Sequence, residues 1–322
     1  MAERTKKNVV VIGGGNGAAI SLCALKEFRE EVNMSAVISM SDSGGSSGLL
    51  RKEFGALPVG DIMRAILAMS PYDHVVLKKI FYRNRFSGAG KLDGHNIGNL
   101  FLVLSEQYGH DFDASLRALH QAVEALGVVH PVTFESSDLC VELSNGEIII
   151  NEHEIDRPTH SREHHIVRAW LQPTPSLSQG AKQAIEEADV LIFGPGSLYC
   201  SIIASLVVEG LSDAIAKNTD ATLMYVVGNA YEKIGEAGPS KLCDFIKTLQ
   251  SYLPRPLDRI IYNNHQLTHR ELLHYEEKGW EPISYNATRC EGYPVIAGDF
   301  EKSAGGLCPQ KLAPLFYSCI FS

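Results

Sequence analysis

Three runs of small and polar residues in this chain have the make-up of anion-binding turns. Gly13-Gly14-Gly15-Asn16-Gly17 follows VVVI, Ser41-Asp42-Ser43-Gly44-Gly45-Ser46-Ser47 follows AVISM, and Gly194-Pro195-Gly196-Ser197-Leu198 follows DVLIF. A turn without bulky side chains lets backbone N–H groups approach a ligand, and a helix starting at once aims its N-terminus at the same place. The chemistry predicted is the cradling of phosphate, most simply that of a nucleotide diphosphate. Asp42 is the acid among these turns, able to act as general base, magnesium ligand or turn-former. Arg51, a little further on, is either a fork for phosphate or a surface residue.

Two further polar insertions sit at helix starts. In Gly60-Asp61-Ile62-Met63-Arg64, Asp61 reads as a helix cap or a functional acid, with Arg64 one turn on. In Gly94-His95-Asn96-Ile97-Gly98-Asn99, His95 is the candidate catalytic group and Asn96 and Asn99 are candidate substrate contacts. Gly13 to Ala18 satisfies G-x-G-x-x-A between a strand and a helix. A dinucleotide enzyme would place a lone acid after the second strand, where this chain has a Ser/Gly nest instead. Gly44-Gly45-Ser46-Ser47-Gly48 also fits G-x-S-x-G, which keeps a serine hydrolase working through Ser46 as a remote alternative. His160, His164 and His165 lie in a polar loop without the spacing of a zinc site.

The elements that must carry these residues alternate in type. Strands are predicted at residues 8–12, 36–40, 190–193 and in ATLMYVV, DRIIYNN and PVIAGDF, with amphipathic helices between most of them. VHPVTFESSDLCVELSNGEIIINEHEID alternates with period two around Asn145-Gly146, a hairpin signal. Residues 128–172 therefore read as an antiparallel excursion from a single α/β domain spanning residues 1–322. The alternation predicts a Rossmann-like, doubly wound, mainly parallel sheet, with ligand outside the carboxyl ends of its strands. Gly15, Asp42, Gly194 and Asn229 each lie just after a strand.

The bulk composition narrows the partners. The formal charge is -9, which argues against nucleic acid and for a small molecule held by local donors. The uncharged stretch 190–208 is broken at Gly194-Pro195-Gly196, so no membrane span is expected. The apolar run near the N-terminus is too short for a signal-peptide core. Seven scattered cysteines without a CxxC pair read as free thiols, and the protein as cytoplasmic.

Taken together, GGGNG, SDSGGSSGLLR, GDIMRAILA, GHNIGNL and GPGSLYCSI resemble the family of the bacterial gluconeogenesis factor (YvcK-like, UPF0052). That family is homologous to the archaeal 2-phospho-L-lactate transferase, CofD. The likeness runs in order over about residues 8–316. In the transferase branch it implies passage of a phospholactyl group from a guanosine diphosphate carrier to a deazaflavin alcohol, with magnesium. In the YvcK branch it implies a bound UDP-sugar and control of carbon flow into cell-wall precursors and cell shape, with no cofactor required. Phosphates would rest on Gly13 to Gly17, on Ser43, Gly44, Gly45, Ser46 and Ser47, and on Gly194, Gly196, Ser197 and Leu198. Asp42, which would hold any magnesium, Asp61 and His95 would face the sugar or transferred group. Arg64, Asn96, Asn99, Asn229 and Tyr275 would contact the substrate, and a homodimer is implied. The chain departs from the family at Ser43 and Leu49, where an acid and an Arg are frequent. It also lacks the frequent Arg in residues 305–312.

Overall fold

The β-branched runs form the strands of one sheet. In a computed structural model, residues 6–44, 48, 50–51, 57–109, 112–158, 162–288, 290–303 and 305–322 are described. Gly45, Ser46, Ser47 and His160 lie outside them, so the hydrolase alternative through Ser46 does too. Strands β1 (Lys7–Gly13), β2 (Val32–Ile38), β3 (Gly127–Pro131), β7 (Val190–Phe193), β8 (Thr222–Val226), β10 (Arg259–Asn263) and β12 (Val295–Gly298) pair in the order β12-β10-β8-β7-β1-β2-β3. Every pairing is parallel. Val9, Val11, Ile12, Leu191, Ile192 and Phe193 are fully buried, as continuous apolar runs between two helical layers require.

The order defines where a ligand belongs. From β1 the chain winds outward through β2 to β3, then returns to β7 on the other side of β1 and winds outward again. The carboxyl ends of β1 and β7 therefore flank a switch point, and the turns after them are Gly13–Gly17 and Gly194–Leu198. The helix Gly15–Leu25 follows β1 directly, and the helix Gly60–Met69 packs beside it. The closing helix Pro309–Phe321 covers the same layer, with Tyr317 edge-on to Phe28 at 5.5 Å.

The excursion is smaller than the period-two pattern suggests. Residues 127–131 form β3, the parallel edge of the main sheet, and not the start of the antiparallel region. An edge strand has one neighbour and one part-solvated face, so its sequence alternates although its pairing is parallel. The antiparallel sheet begins at β4 (Asp138–Leu143), joined through Asn145-Gly146 to β5 (Ile148–Ile150) and flanked by β6 (Ile166–Gln172). A short helix, Glu152–Asp156, follows β5, and β9 (Ala230–Glu232) pairs antiparallel with β11 (Trp280–Pro282). The cysteines are not all free: Cys243 and Cys290 are bonded, with Cα atoms 5.3 Å apart, while the other five are free thiols. Their 47-residue separation hid the pairing, since only tertiary contact brings them together. No helix among the described residues is long and apolar enough to cross a membrane.

Candidate functional site

A cleft of about 710 Å³ opens at the switch point, a size usual for small-molecule sites. Its floor is the contact between the first and third glycine turns. A Cβ on Gly17 would lie 1.7 Å from the Pro195 carbonyl oxygen, so only glycine allows the two turns to touch. Gly14, Gly15, Asn16, Gly17, Gly196 and Ser197 all line the cleft. Gly13 and Gly194 stand behind them at the buried strand ends, where the Gly194 carbonyl accepts from the Ser21 hydroxyl at 2.8 Å.

Asp61 lies in the first turn of Gly60–Met69 and caps a different helix. Its Oδ2 accepts the Gly15 N–H at 2.6 Å, and its Oδ1 accepts from Arg64 Nη1 at 3.0 Å. Burial drives its carboxyl up to about 6; Arg64 opposes the shift and Asp42 adds to it. Arg64 also lies 4.2 Å from the centre of the Tyr82 ring. Beside it, Lys78 Nζ donates to Asn16 Oδ1 at 2.7 Å. Cations thus gather on the first-turn side of the cleft.

The second loop brings acids instead. Asp42 Oδ1 accepts the Gly44 N–H at 2.9 Å, a local Asx turn, and both residues line the cleft. Ser43 turns toward the excursion, its hydroxyl donating to Asn151 Oδ1 at 2.5 Å and its N–H to Glu152 Oε2 at 3.2 Å. Burial lifts Glu152 to about 8, with Asp42 as the next cause, and also raises Asp156. Arg51 is held by Ser136, Ser137 and Asp138 and is not part of the cleft wall.

At the third turn the amides are already occupied. Leu198, Tyr199 and Cys200 donate their N–H groups to Glu236 at 2.6, 2.9 and 3.2 Å. Burial raises Glu236 to about 7, and the three amides pull against that shift. The Leu198 side chain is fully buried and its N–H is held by Glu236, so neither is open to a phosphate while Glu236 stays in place.

The remaining predicted residues divide. Asn99 lines the cleft, and its buried Oδ1 has no hydrogen-bond partner among the described residues. Asn229 lines it as well. His95 and Asn96 are buried and outside the wall. The loop folds back on itself there, with Phe86 N–H donating to the His95 carbonyl, and Asn96 Oδ1 accepts the Asn99 N–H at 2.8 Å. Tyr275 is 1% exposed and also lies outside the wall. Its hydroxyl donates to Glu301 at 2.7 Å, and Asn229 stands between it and the cleft by bonding both. Sequence reading missed Glu152, Asp156, Cys200, Arg162, Tyr82 and Glu236, all of which line the wall. The two carboxylates of Glu152 and Asp156 lie with the Cys200 thiol in one group, ligand atoms within 4.8 Å of each other.

The model of the family described as 2-phospho-L-lactate transferase CofD matches residues 9–301. The chain belongs to the CofD family. Within it, the chain is 33% identical to the gluconeogenesis factor of Listeria innocua over 311 residues, covering 95% of this chain and 92% of that one. It is 32% identical to the gluconeogenesis factor of Halalkalibacterium halodurans, covering 86% and 84%. The solved structure of a UPF0052 family protein from Bacillus halodurans superposes with a TM-score of 0.88 at 28% identity, covering 98% of this chain and all of that one. CofD-family membership thus agrees with the parallel sheet and with the order of the glycine turns.

Proposed function

We propose that this protein binds a nucleotide diphosphate, a UDP-sugar foremost, in the switch-point cleft. On this reading it acts in the cytoplasm as a gluconeogenesis-factor-like regulator of carbon flow into cell-wall precursors. The observation that carries the reading is the meeting of two glycine turns across one cleft, with Arg64 and Lys78 beside the first. Family membership supports the same ligand class. The test is thermal unfolding with UDP-N-acetylglucosamine, GDP, GTP and NAD, each with and without magnesium. A true ligand at about hundredfold excess over its Kd adds about 2.7 kcal/mol. No shift with any of the four sinks the proposal.

A second reading, a CofD-like transferase of a phosphorus-containing group, draws on the acids in the same cleft. Asp61, at about 6, is near the range where a carboxylate exchanges protons at neutral pH. Magnesium takes one or two carboxylates and completes its shell with phosphate and water, and Asp42 is the oxygen donor that fits that role. The ion would offset phosphate charge. Replacing Asp42 with Asn separates the readings: a binder keeps nucleotide affinity, whereas a transferase loses turnover.

A further inference from the structure

The two glycine turns face one cleft but differ in what their amides hold. At Gly194–Leu198, three successive N–H groups converge on the two oxygens of Glu236 at 2.6, 2.9 and 3.2 Å. Backbone amides opening a helical run commonly take a phosphate in this way, and here the run continues from Leu198–Ile203 into Ala204–Leu206. The carboxylate arrives from a distant loop and itself forms part of the cleft wall. Glu152, Asp156, Arg157 and Arg162 stand in the same wall, so a phosphate brought to this end would meet mixed charge and amides that are already taken.

The other end is built differently. One amide, Gly15, is held by Asp61, and that acid is balanced by Arg64. Lys78, just outside the cleft wall, donates to Asn16 in the turn; burial first, then crowding by the positive charges of Arg64 and Arg83, holds it below its ordinary value. An anion placed there would relieve that crowding.

We propose that Glu236 is a specificity-determining residue: a resident carboxyl that occupies the amides of the second glycine turn and so closes that turn to phosphate. A phosphorylated ligand then lies with its phosphates against Gly14–Gly17, Arg64 and Lys78, and its uncharged, hydroxyl-bearing end toward Glu236. Hydroxyls can donate to a carboxylate, whereas phosphate oxygens are repelled by it. The inference rests on the nucleotide-diphosphate reading of the cleft and gives the ligand a direction.

The experiment is titration calorimetry with inorganic pyrophosphate, sulfate and UDP-N-acetylglucosamine on the wild type, Glu236→Ala and Lys78→Met. Glu236→Ala frees three amides, so sulfate and pyrophosphate affinity should rise about tenfold or more, while UDP-N-acetylglucosamine gains less. Lys78→Met should weaken pyrophosphate and UDP-N-acetylglucosamine together. Unchanged sulfate and pyrophosphate binding in a folded Glu236→Ala protein overturns the proposal, as does an equal change for all three ligands, the mark of a purely structural role. If Glu236→Ala does not fold, Lys78→Met decides: retention of wild-type pyrophosphate affinity overturns the assignment. A wild type that ignores UDP-N-acetylglucosamine while Glu236→Ala takes up sulfate would reject the UDP-sugar reading and leave the role of Glu236 supported.

Discussion

Burial pushes the carboxyls of Asp156 and Glu232 in the cleft above their ordinary values, and three others rise furthest because water is kept from them: Asp61 at about 6, Glu236 at about 7 and Glu152 at about 8. In the unfolded chain the same groups titrate at 3.8, 4.5 and 4.5. Between those ranges the folded protein holds more protons than the unfolded one. Their contribution to stability therefore falls as pH rises from about 4.5 to about 8, the reverse of an acid stabilised by a salt bridge; His74, His120 and His130, pushed down by burial, work the other way at the acid end. The ligand-free protein should melt at a higher temperature at about pH 6 than at about pH 8.5. Glu152→Gln should flatten the upper part of that slope. A melting temperature that climbs across the window, or a slope untouched by the substitution, would show that these acids are not desolvated as the geometry implies.

At the scale of elements, the site depends on how closely two turns can approach. Gly17→Ala would push a methyl to within 1.7 Å of the Pro195 carbonyl. The first and third turns must then separate, at a cost of about 1–3 kcal/mol from overpacking. Gly44→Ala is the contrast, because its nearest neighbours would be His153 Nδ1 at 3.4 Å and Asp42 Oδ1 at 3.5 Å. Urea unfolding and ligand titration of both variants should show loss of stability and of binding for Gly17→Ala alone. Equal behaviour of the two would mean that the turn contact does not shape the cleft. These turns were legible in the sequence because glycine after a β-branched run is a local signal. Of the carboxylates that fill them, Asp61 stands out in the sequence as an acid at a helix start, though not as the partner of Gly15 across 46 residues, while Glu236, which reaches Leu198 across 38, gives no local signal. The edge strand β3 misled for a related reason: period-two alternation reports a half-solvated face, whichever way the neighbour runs.

Across the whole molecule, the two halves of the sheet meet only where β1 lies against β7, and the cleft draws its walls from both. On the β7 side, the wall residues between Gly228 and Pro239 lead into the helix Leu242–Gln250, and Trp280 belongs to β11. The Cys243–Cys290 bond ties that helix to the segment after β11. Closing a loop of 47 residues lowers the entropy of the unfolded chain, a stabilisation of about 4 kcal/mol in the chain-entropy description. Protein unfolded without reductant should show five titratable thiols of its seven cysteines, and all seven after reduction. Reductant should lower the denaturation midpoint of the wild type and leave Cys243→Ser unchanged, since that variant has no bond to lose. Seven reactive thiols before reduction would mean that the β7-side wall is held by packing alone, and the Cys243→Ser comparison would then show no difference from wild type.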